Sequence, residues 1–218
     1  MKPYALLIRR TLTITLVACW VLAGGVGGTR IASYRPVAAA ALPSQLTDQQ
    51  FWSLSKESSE EDGYFRSDNL LSNETSFQDI IPGMLKVAKP GRVYVGVGPE
   101  QNFTYMAALR PAMAVIIDIR HGNLDVHLTY KALFELSKDR ADFVSRLFSR
   151  KRPDGLTARS SASEIFDAFR SSEGNLEMYE ANLQTVLDQL TKKHAFPLTD
   201  GDRDGIRWAR CDALAADG

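Results

Sequence analysis

The sequence has few cysteines and no excess of charge of either sign. Its two cysteines are Cys19 and Cys211. Cys19 lies inside an N-terminal apolar segment, so a structural disulfide is not expected, and no metal-ligand spacing is present. The 26 basic side chains are balanced by 26 acidic ones, whereas a nucleic-acid-binding protein would carry a basic excess. We therefore expect no structural disulfide, no bound metal and no nucleic-acid partner.

Strand-like runs are missing from the second half of the sequence. Between Leu124 and Gly218 the apolar residues recur mainly at helical spacing, and no run is typical of a strand. His127 lies among these apolar residues and is expected to be a satisfied core or rim residue rather than a general base. A complete doubly wound sheet needs roughly four or five strands beyond the first two. Either the sheet is small, or the chain is a truncated member of a longer family.

Helix-start signals divide this half of the chain. Ser161 and Glu164 form a capping box, as Thr47 and Gln50 do earlier in the sequence. Residues 200–205 match the first half of a calcium loop, but Cys211 stands where a bidentate glutamate is needed, so we expect a helix start there. Helices are predicted over residues 123–137, 139–149, 165–169 and 176–193.

Residues 93–120 contain two short apolar runs, separated by a segment long enough for one helix. Such runs, rich in β-branched residues and bounded by turn residues, are typical of buried parallel strands. Gly96 and Gly98 end the first run, and Asp118 ends the second. The pattern predicts a strand, a glycine turn, a helix and a second, parallel strand.

This unit predicts a nucleoside pocket. Gly96 and Gly98 let the backbone turn tightly and a ligand approach closely, and the next helix would offer unpaired N–H groups. Asp118 stands about 20 positions after Gly98, the offset expected of a ribose-binding carboxylate. Three further residues could contact the amino acid part of a ligand or an acceptor: Glu100, Gln101 and Asn102.

The glycine pattern is incomplete, because Gln101 stands where the third glycine or alanine of G-x-G-x-x-G would be. This counts against a tightly bound pyrophosphate and favours S-adenosylmethionine, which has none. A nucleotide-dependent oxidoreductase is therefore the weaker alternative. A tight strand-to-helix turn without any ligand would also explain the pattern.

The polar stretch 63–75 precedes this unit and has no clean periodicity. A loop of this kind often covers a site, which would place Asn73 and Glu74 near the ligand. Alternatively, Ser72 or Asn73 caps the following helix, predicted over residues 76–85 and kinked by Pro82.

The N-terminus has the parts of an export signal. Lys2, Arg9 and Arg10 precede the uncharged segment 11–29, and small residues follow at 38–41. An uncleaved membrane anchor is the alternative, and either would place the rest of the chain outside the cytoplasm, in the periplasm of a bacterium. If the start site is wrong, the domain is cytoplasmic. Export conflicts with S-adenosylmethionine, which is a cytoplasmic metabolite.

Several long stretches carry a resemblance to a known family: residues 65–74, 94–105, 117–120, 127–135 and 139–152. On these stretches the chain resembles an uncharacterised bacterial methyltransferase-like family, the group that includes a leptospiral hypothetical protein. The resemblance implies an α/β, Rossmann-like three-layer sandwich of the S-adenosylmethionine methyltransferase type, with Gly96, Gly98 and Asp118 in cofactor-binding positions. Family members continue past Ile206, so the fold is expected to be incomplete at the C-terminus.

Together these features predict three regions and one function. Residues 1–41 are expected to be a signal peptide or membrane anchor with a linker, 42–206 the methyltransferase-like domain and 207–218 a divergent tail. The predicted function is an S-adenosylmethionine-dependent methyltransferase-like protein of unidentified substrate, with no recognisable catalytic base. The alternative is a catalytically inactive Rossmann-like domain that is exported or tethered to a membrane through residues 11–29.

Overall fold

The computed structural model describes residues 42–60, 66, 70–72 and 74–215, with side chains described as far as Arg210. These residues belong to a compact unit that begins at Leu42. The predicted signal or anchor, residues 1–41, and the candidate ligand contact Asn73 lie outside the described residues. Among the helices that are described, none is both long and apolar enough to cross a membrane.

Two parallel strands form the sheet of the described residues. Strand β1 (Val93–Val97) pairs with β2 (Met113–Ile117), and helix α3 (Gln101–Leu109) connects them. A parallel pair needs such a crossover, because the chain must return to the same end of the sheet before the second strand begins. The predicted strand, turn, helix and parallel strand are confirmed.

The predicted burial of the strands is wrong for one face of the sheet. Val95 and Val97 of β1 are 63% and 65% exposed, and Ile117 of β2 is 52% exposed. Successive strand residues point to opposite faces, and Gly96 on the other face is buried. Within the described chain, therefore, the two faces of the sheet are covered unequally.

Helices make up most of the remaining structure. Before the sheet lie α1 (Asp48–Ser58), a 3-10 turn (Phe77–Ile80) and α2 (Ile81–Val87). After it come α4 (His121–Leu136), α5 (Arg140–Leu147), α6 (Ala162–Phe169), α7 (Leu176–Asp188), a π-helical turn (Gln189–Lys193) and α8 (Asp200–Ala215). The described residues after β2 form no further strand, so a complete Rossmann-like sandwich stays a prediction. Helix α8 continues across the predicted boundary between residues 206 and 207.

The helix ends follow the sequence signals. Both predicted capping boxes form, Thr47 with Gln50 at α1 and Ser161 with Glu164 at α6. The helix predicted over residues 76–85 is instead a 3-10 turn followed by α2, with Pro82 in the first turn of α2. Proline is tolerated there because the first N–H groups of a helix have no intrahelical partner.

The hydrophobic core lies among the helices. Helix α4 packs along α8, and the main cluster of buried residues includes Leu128, Leu133, Leu183, Val186, Leu190 and Ile206. A second cluster joins α5 to α6 through Ala141, Val144, Ile165 and Phe169. Among the described residues, the helices thus provide most of the apolar burial. The carboxyl ends of the two strands lie beside α4.

Candidate functional site

The candidate site lies where β1 and β2 end and α3 and α4 begin. Gly98 has φ of +80°, a conformation that side chains disfavour. Its N–H donates to the carbonyl of Ile117 at 3.0 Å, which joins the turn to the end of β2. A Cβ placed on Gly98 would lie 3.7 Å from Asp118 Oδ2. The structure therefore brings the predicted glycine and the predicted ribose-binding acid side by side.

Side chains of α3 and α4 hold the glycine turn in place. The carbonyl of Gly98 accepts hydrogen bonds from Asn123 Nδ2 at 3.1 Å and from Asn102 Nδ2 at 3.4 Å, and His127 Nε2 lies 3.0 Å from it. Burial lowers the pKa of His127, although its bond to Gly98 and the charges of Glu100 and Asp118 act in the opposite direction. A neutral imidazole that donates from Nε2 fits this position, in agreement with the predicted satisfied core or rim histidine.

Gly96 and Asn102 are accounted for by contacts within the protein. A Cβ on Gly96 would lie 2.0 Å from Asn102 Oδ1, so the missing side chain makes room for the asparagine. Asn102 is 2% exposed. Its Oδ1 accepts from the Tyr94 hydroxyl at 2.6 Å, and its Nδ2 donates to the carbonyl of Pro99 at 2.7 Å. These two residues shape the turn from β1 into α3, and nothing in their contacts requires a ligand.

Glu100 and Gln101 hold the segment that precedes the unit. The N–H of Ser72 donates to Glu100 Oε1 at 3.0 Å, and the Ser72 hydroxyl donates to Gln101 Oε1. Leu70 is buried beside Gly122, where a Cβ would lie 2.8 Å from its Cδ1. The other carboxylate oxygen, Glu100 Oε2, is buried and has no hydrogen-bond partner among the residues that the structure describes. It is thus an acceptor that a donor group of a ligand could use.

Arg120 binds the carboxylate of Asp118 through several hydrogen bonds. Oδ1 accepts from the N–H and Nε of Arg120 at 2.8 and 3.0 Å, and Oδ2 accepts from its Nη2 at 3.1 Å. Burial would raise the pKa of Asp118, but the hydrogen bonds and charge of Arg120 outweigh it and hold that pKa below its ordinary value. Asp118 is therefore an ionised, oriented acceptor, although its side chain is only 6% exposed.

Phe103 and Tyr130 form an aromatic cluster beside these polar groups. Phe103 makes edge-to-face contacts with His127 and Tyr130, with ring centroids 5.4 Å apart in each pair. Burial, followed by the negative charge of Glu100, raises the pKa of Tyr130. The Tyr130 hydroxyl therefore stays protonated at neutral pH, and neither Phe103 nor Tyr130 carries a charge.

Several residues of the site were not anticipated from the sequence. Tyr94 and Arg120 each stand two positions from a predicted residue, Gly96 and Asp118, but nothing in the local sequence shows which hydrogen-bond partner each would take. Asn123 and His127 carried a detectable signal, because residues four apart on a helix share a face. Both lie on the predicted helix that follows Asp118, so a polar pair facing the strand ends could have been inferred.

The fold and site together define a mainly helical α/β domain with one β-α-β unit and a polar, oriented cluster at its strand ends. The chain belongs to the family described as Domain of unknown function (DUF7790), which matches residues 70–197. This span includes both strands and every residue of the candidate site that the structure describes. No curated protein and no solved structure matches the chain. The family description names no activity, so the resemblance to methyltransferase-like proteins stays a prediction.

Proposed function

We propose that this protein binds S-adenosylmethionine at the carboxyl ends of β1 and β2 and is methyltransferase-like. The observation that carries the proposal is the placement of Asp118 beside Gly98, at the end of two parallel strands. Ligands of open α/β sheets bind outside these strand ends. A carboxylate there can accept hydrogen bonds from ribose hydroxyls, and the glycine leaves space for the ligand.

The buried acceptor Glu100 Oε2 supports this ligand class. S-adenosylmethionine carries a sulfonium and an ammonium group, and a carboxylate is the natural partner of either cation. An unpaired buried polar atom costs free energy, so a ligand ammonium at Glu100 would relieve that cost. Asp118 would then hold the ribose while Glu100 holds the amino acid end.

The proposed roles of the protein groups concern positioning. Bound S-adenosylmethionine supplies an activated methyl group, and its transfer mainly requires that donor and acceptor be held in line. Asp118 and Glu100 fix two ends of the donor, and Phe103 with Tyr130 excludes water from one side. We assign no catalytic base.

Calorimetry of the full 218-residue chain with S-adenosylmethionine tests the proposal. We expect Asp118→Asn and Glu100→Gln each to weaken binding about 10- to 100-fold, the effect of losing a hydrogen bond to a charged group. Asp167→Asn is the matched control. Its carboxylate lies on α6, is 58% exposed and pairs with Arg170, the residue that follows the helix. Absence of binding by folded wild-type protein contradicts the proposal, and titration with NAD tests the oxidoreductase alternative.

A catalytically inactive domain is the second candidate function. The Asp118–Arg120 pair favours it, since Arg120 already occupies both carboxylate oxygens and a ribose would have to share or displace it. In this case the folded protein binds neither S-adenosylmethionine nor NAD, and Asp118→Asn changes only its stability. Ligand binding that Asp118→Asn weakens would exclude this candidate.

A further inference from the structure

Three side chains with metal-ligating chemistry meet between α4 and α8. One ligand atom from each of His121, Asp125 and Asp202 lies within 4.8 Å of the other two. His121 and Asp125 are four residues apart, so they share one face of α4. Asp202 belongs to the first turn of α8. Among the residues that the structure describes, these three side chains are the group of histidine, cysteine and acidic residues that lies close enough together to share one ion.

The packing of α8 against α4 makes room for these carboxylates. A Cβ on Gly205 would lie 2.0 Å from Asp125 Oδ2, so only glycine allows the carboxylate to sit against the α8 backbone. Asp202 Oδ2 accepts from the N–H and hydroxyl of Thr199 at 2.7 and 2.8 Å. These bonds orient Asp202 so that its Oδ1 faces His121 Nε2 at 2.6 Å. Such second-shell bonds are typical of metal-ligating carboxylates.

Burial and access differ among the three ligands in a way that suits an ion site. Asp125 and Asp202 are each 2% exposed, whereas the His121 side chain is 36% exposed. Two carboxylates brought together away from water favour a nearby positive charge. A divalent cation matches the charge of the two carboxylates, and the partly exposed His121 side chain places the group near solvent.

We propose that His121, Asp125 and Asp202 bind a divalent transition-metal ion such as Mn²⁺ or Zn²⁺. One imidazole with two carboxylates is a ligand set that both ions accept. Three protein ligands leave coordination positions for water or an anionic ligand. The site is separate from the proposed nucleoside pocket, because Asn123 and His127 face Gly98 from the opposite side of α4.

Mn²⁺ alone is the first probe. The full chain, carrying a tag without histidine and stripped of metal, is titrated with Mn²⁺ and examined by electron paramagnetic resonance. We expect one bound ion with a nitrogen coupling from one imidazole. His121→Gln should abolish this coupling, and His121→Gln and Asp125→Asn should each weaken binding at least about tenfold, since even second-shell losses cost 10- to 100-fold.

Matched variants identify the nitrogen and exclude other metal ligands. His127→Gln, on the opposite face of α4, should keep the coupling, and Cys211→Ser should leave the affinity unchanged. The proposal is overturned if folded wild-type protein binds neither Mn²⁺ nor Zn²⁺. It is equally overturned if His121→Gln keeps the nitrogen coupling. Should the His121 and Asp125 variants unfold, the coupling in wild-type protein and its persistence in both His127→Gln and His194→Gln decide the question, because the chain has three histidines.

Discussion

Gly96 and Gly98 stand two positions apart, yet different physical constraints act on them. At Gly96 the constraint is space, because the side chain of Asn102 occupies the position that a Cβ would take. At Gly98 it is backbone conformation, because φ of +80° disfavours any residue with a Cβ. A third constraint acts on Asp118, whose ion pair with Arg120 orients its carboxylate beside Gly98.

The two glycines should therefore respond differently to alanine. Gly98→Ala is expected to cost about 1–2 kcal/mol, the strain of an L-residue in the left-handed region. Gly96→Ala should cost more, about 2–4 kcal/mol, because it combines overpacking with loss of the buried Asn102 hydrogen bonds. Urea denaturation of both variants measures the difference. Equal costs would show that Asn102 does not fill the space beside Gly96.

Substitution of Arg120 should change the titration of Asp118. Because burial then acts without the guanidinium, Arg120→Gln is expected to raise the pKa of Asp118. In wild-type protein the lowered pKa contributes stability above about pH 4, the ordinary carboxyl range, which is lost as pH falls below it. The variant should show less of this acid dependence. Carboxyl ¹³C NMR measures the pKa, and an unchanged value would exclude the ion pair as its cause.

At the scale of elements, His194 and Glu135 join α1 to the helical core. His194 Nδ1 lies 2.8 Å from Asp48 Oδ1 of α1, and its Nε2 lies 2.5 Å from Glu135 Oε2 of α4. Trp52 of α1 stacks on Phe196, with ring centroids 5.0 Å apart. The polar contacts and the ring stacking thus fix the same helix.

Glu135→Gln should weaken this junction. Burial would raise the pKa of Glu135, but hydrogen bonds from Lys131, His194 and Gln189 lower it to about 2 from 4.5. The carboxylate therefore contributes stability that is present above pH 4.5 and lost as pH falls toward 2. We expect the variant to lose roughly 1–2 kcal/mol at pH 7, a range reduced for partial exposure. The difference should shrink on acidification.

Urea denaturation at pH 7 and pH 3 checks this prediction. The matched control is Glu180→Gln, since Glu180 is exposed on α7, and we expect it to leave stability nearly unchanged at both values. A Glu135→Gln difference that does not depend on pH would show that shape, not charge, accounts for the contact.

For the described unit as a whole, we expect stability to reside in the helices rather than in the sheet. Ile206 of α8 is fully buried in the main core, whereas Val97 of β1 is 65% exposed. Ile206→Ala is expected to cost about 2–5 kcal/mol through lost burial and a residual cavity. Val97→Ala should cost less than about 1 kcal/mol. Urea denaturation midpoints measure the loss of stability in the two variants. Similar losses would indicate that the exposed face of the sheet is covered in solution.

Relations between near neighbours could be read from the sequence. The β-α-β unit, the capping boxes and the strandless second half depend on local periodicity and on residues three or four apart. The closeness of Gly98 and Asp118 followed from one rule, because the carboxyl ends of adjacent parallel strands lie at the same edge of a sheet.

Contacts between distant segments were decided only by the tertiary structure. The grouping of Asp202 with His121 and Asp125 depends on how α8 packs along α4, and no local pattern encodes that packing. The same holds for the exposure of Val97, which depends on what covers each sheet face, and for the space that Gly96 leaves to Asn102. Sequence periodicity specifies which face of an element is apolar, but the partner of that face is chosen by the packing of the whole chain.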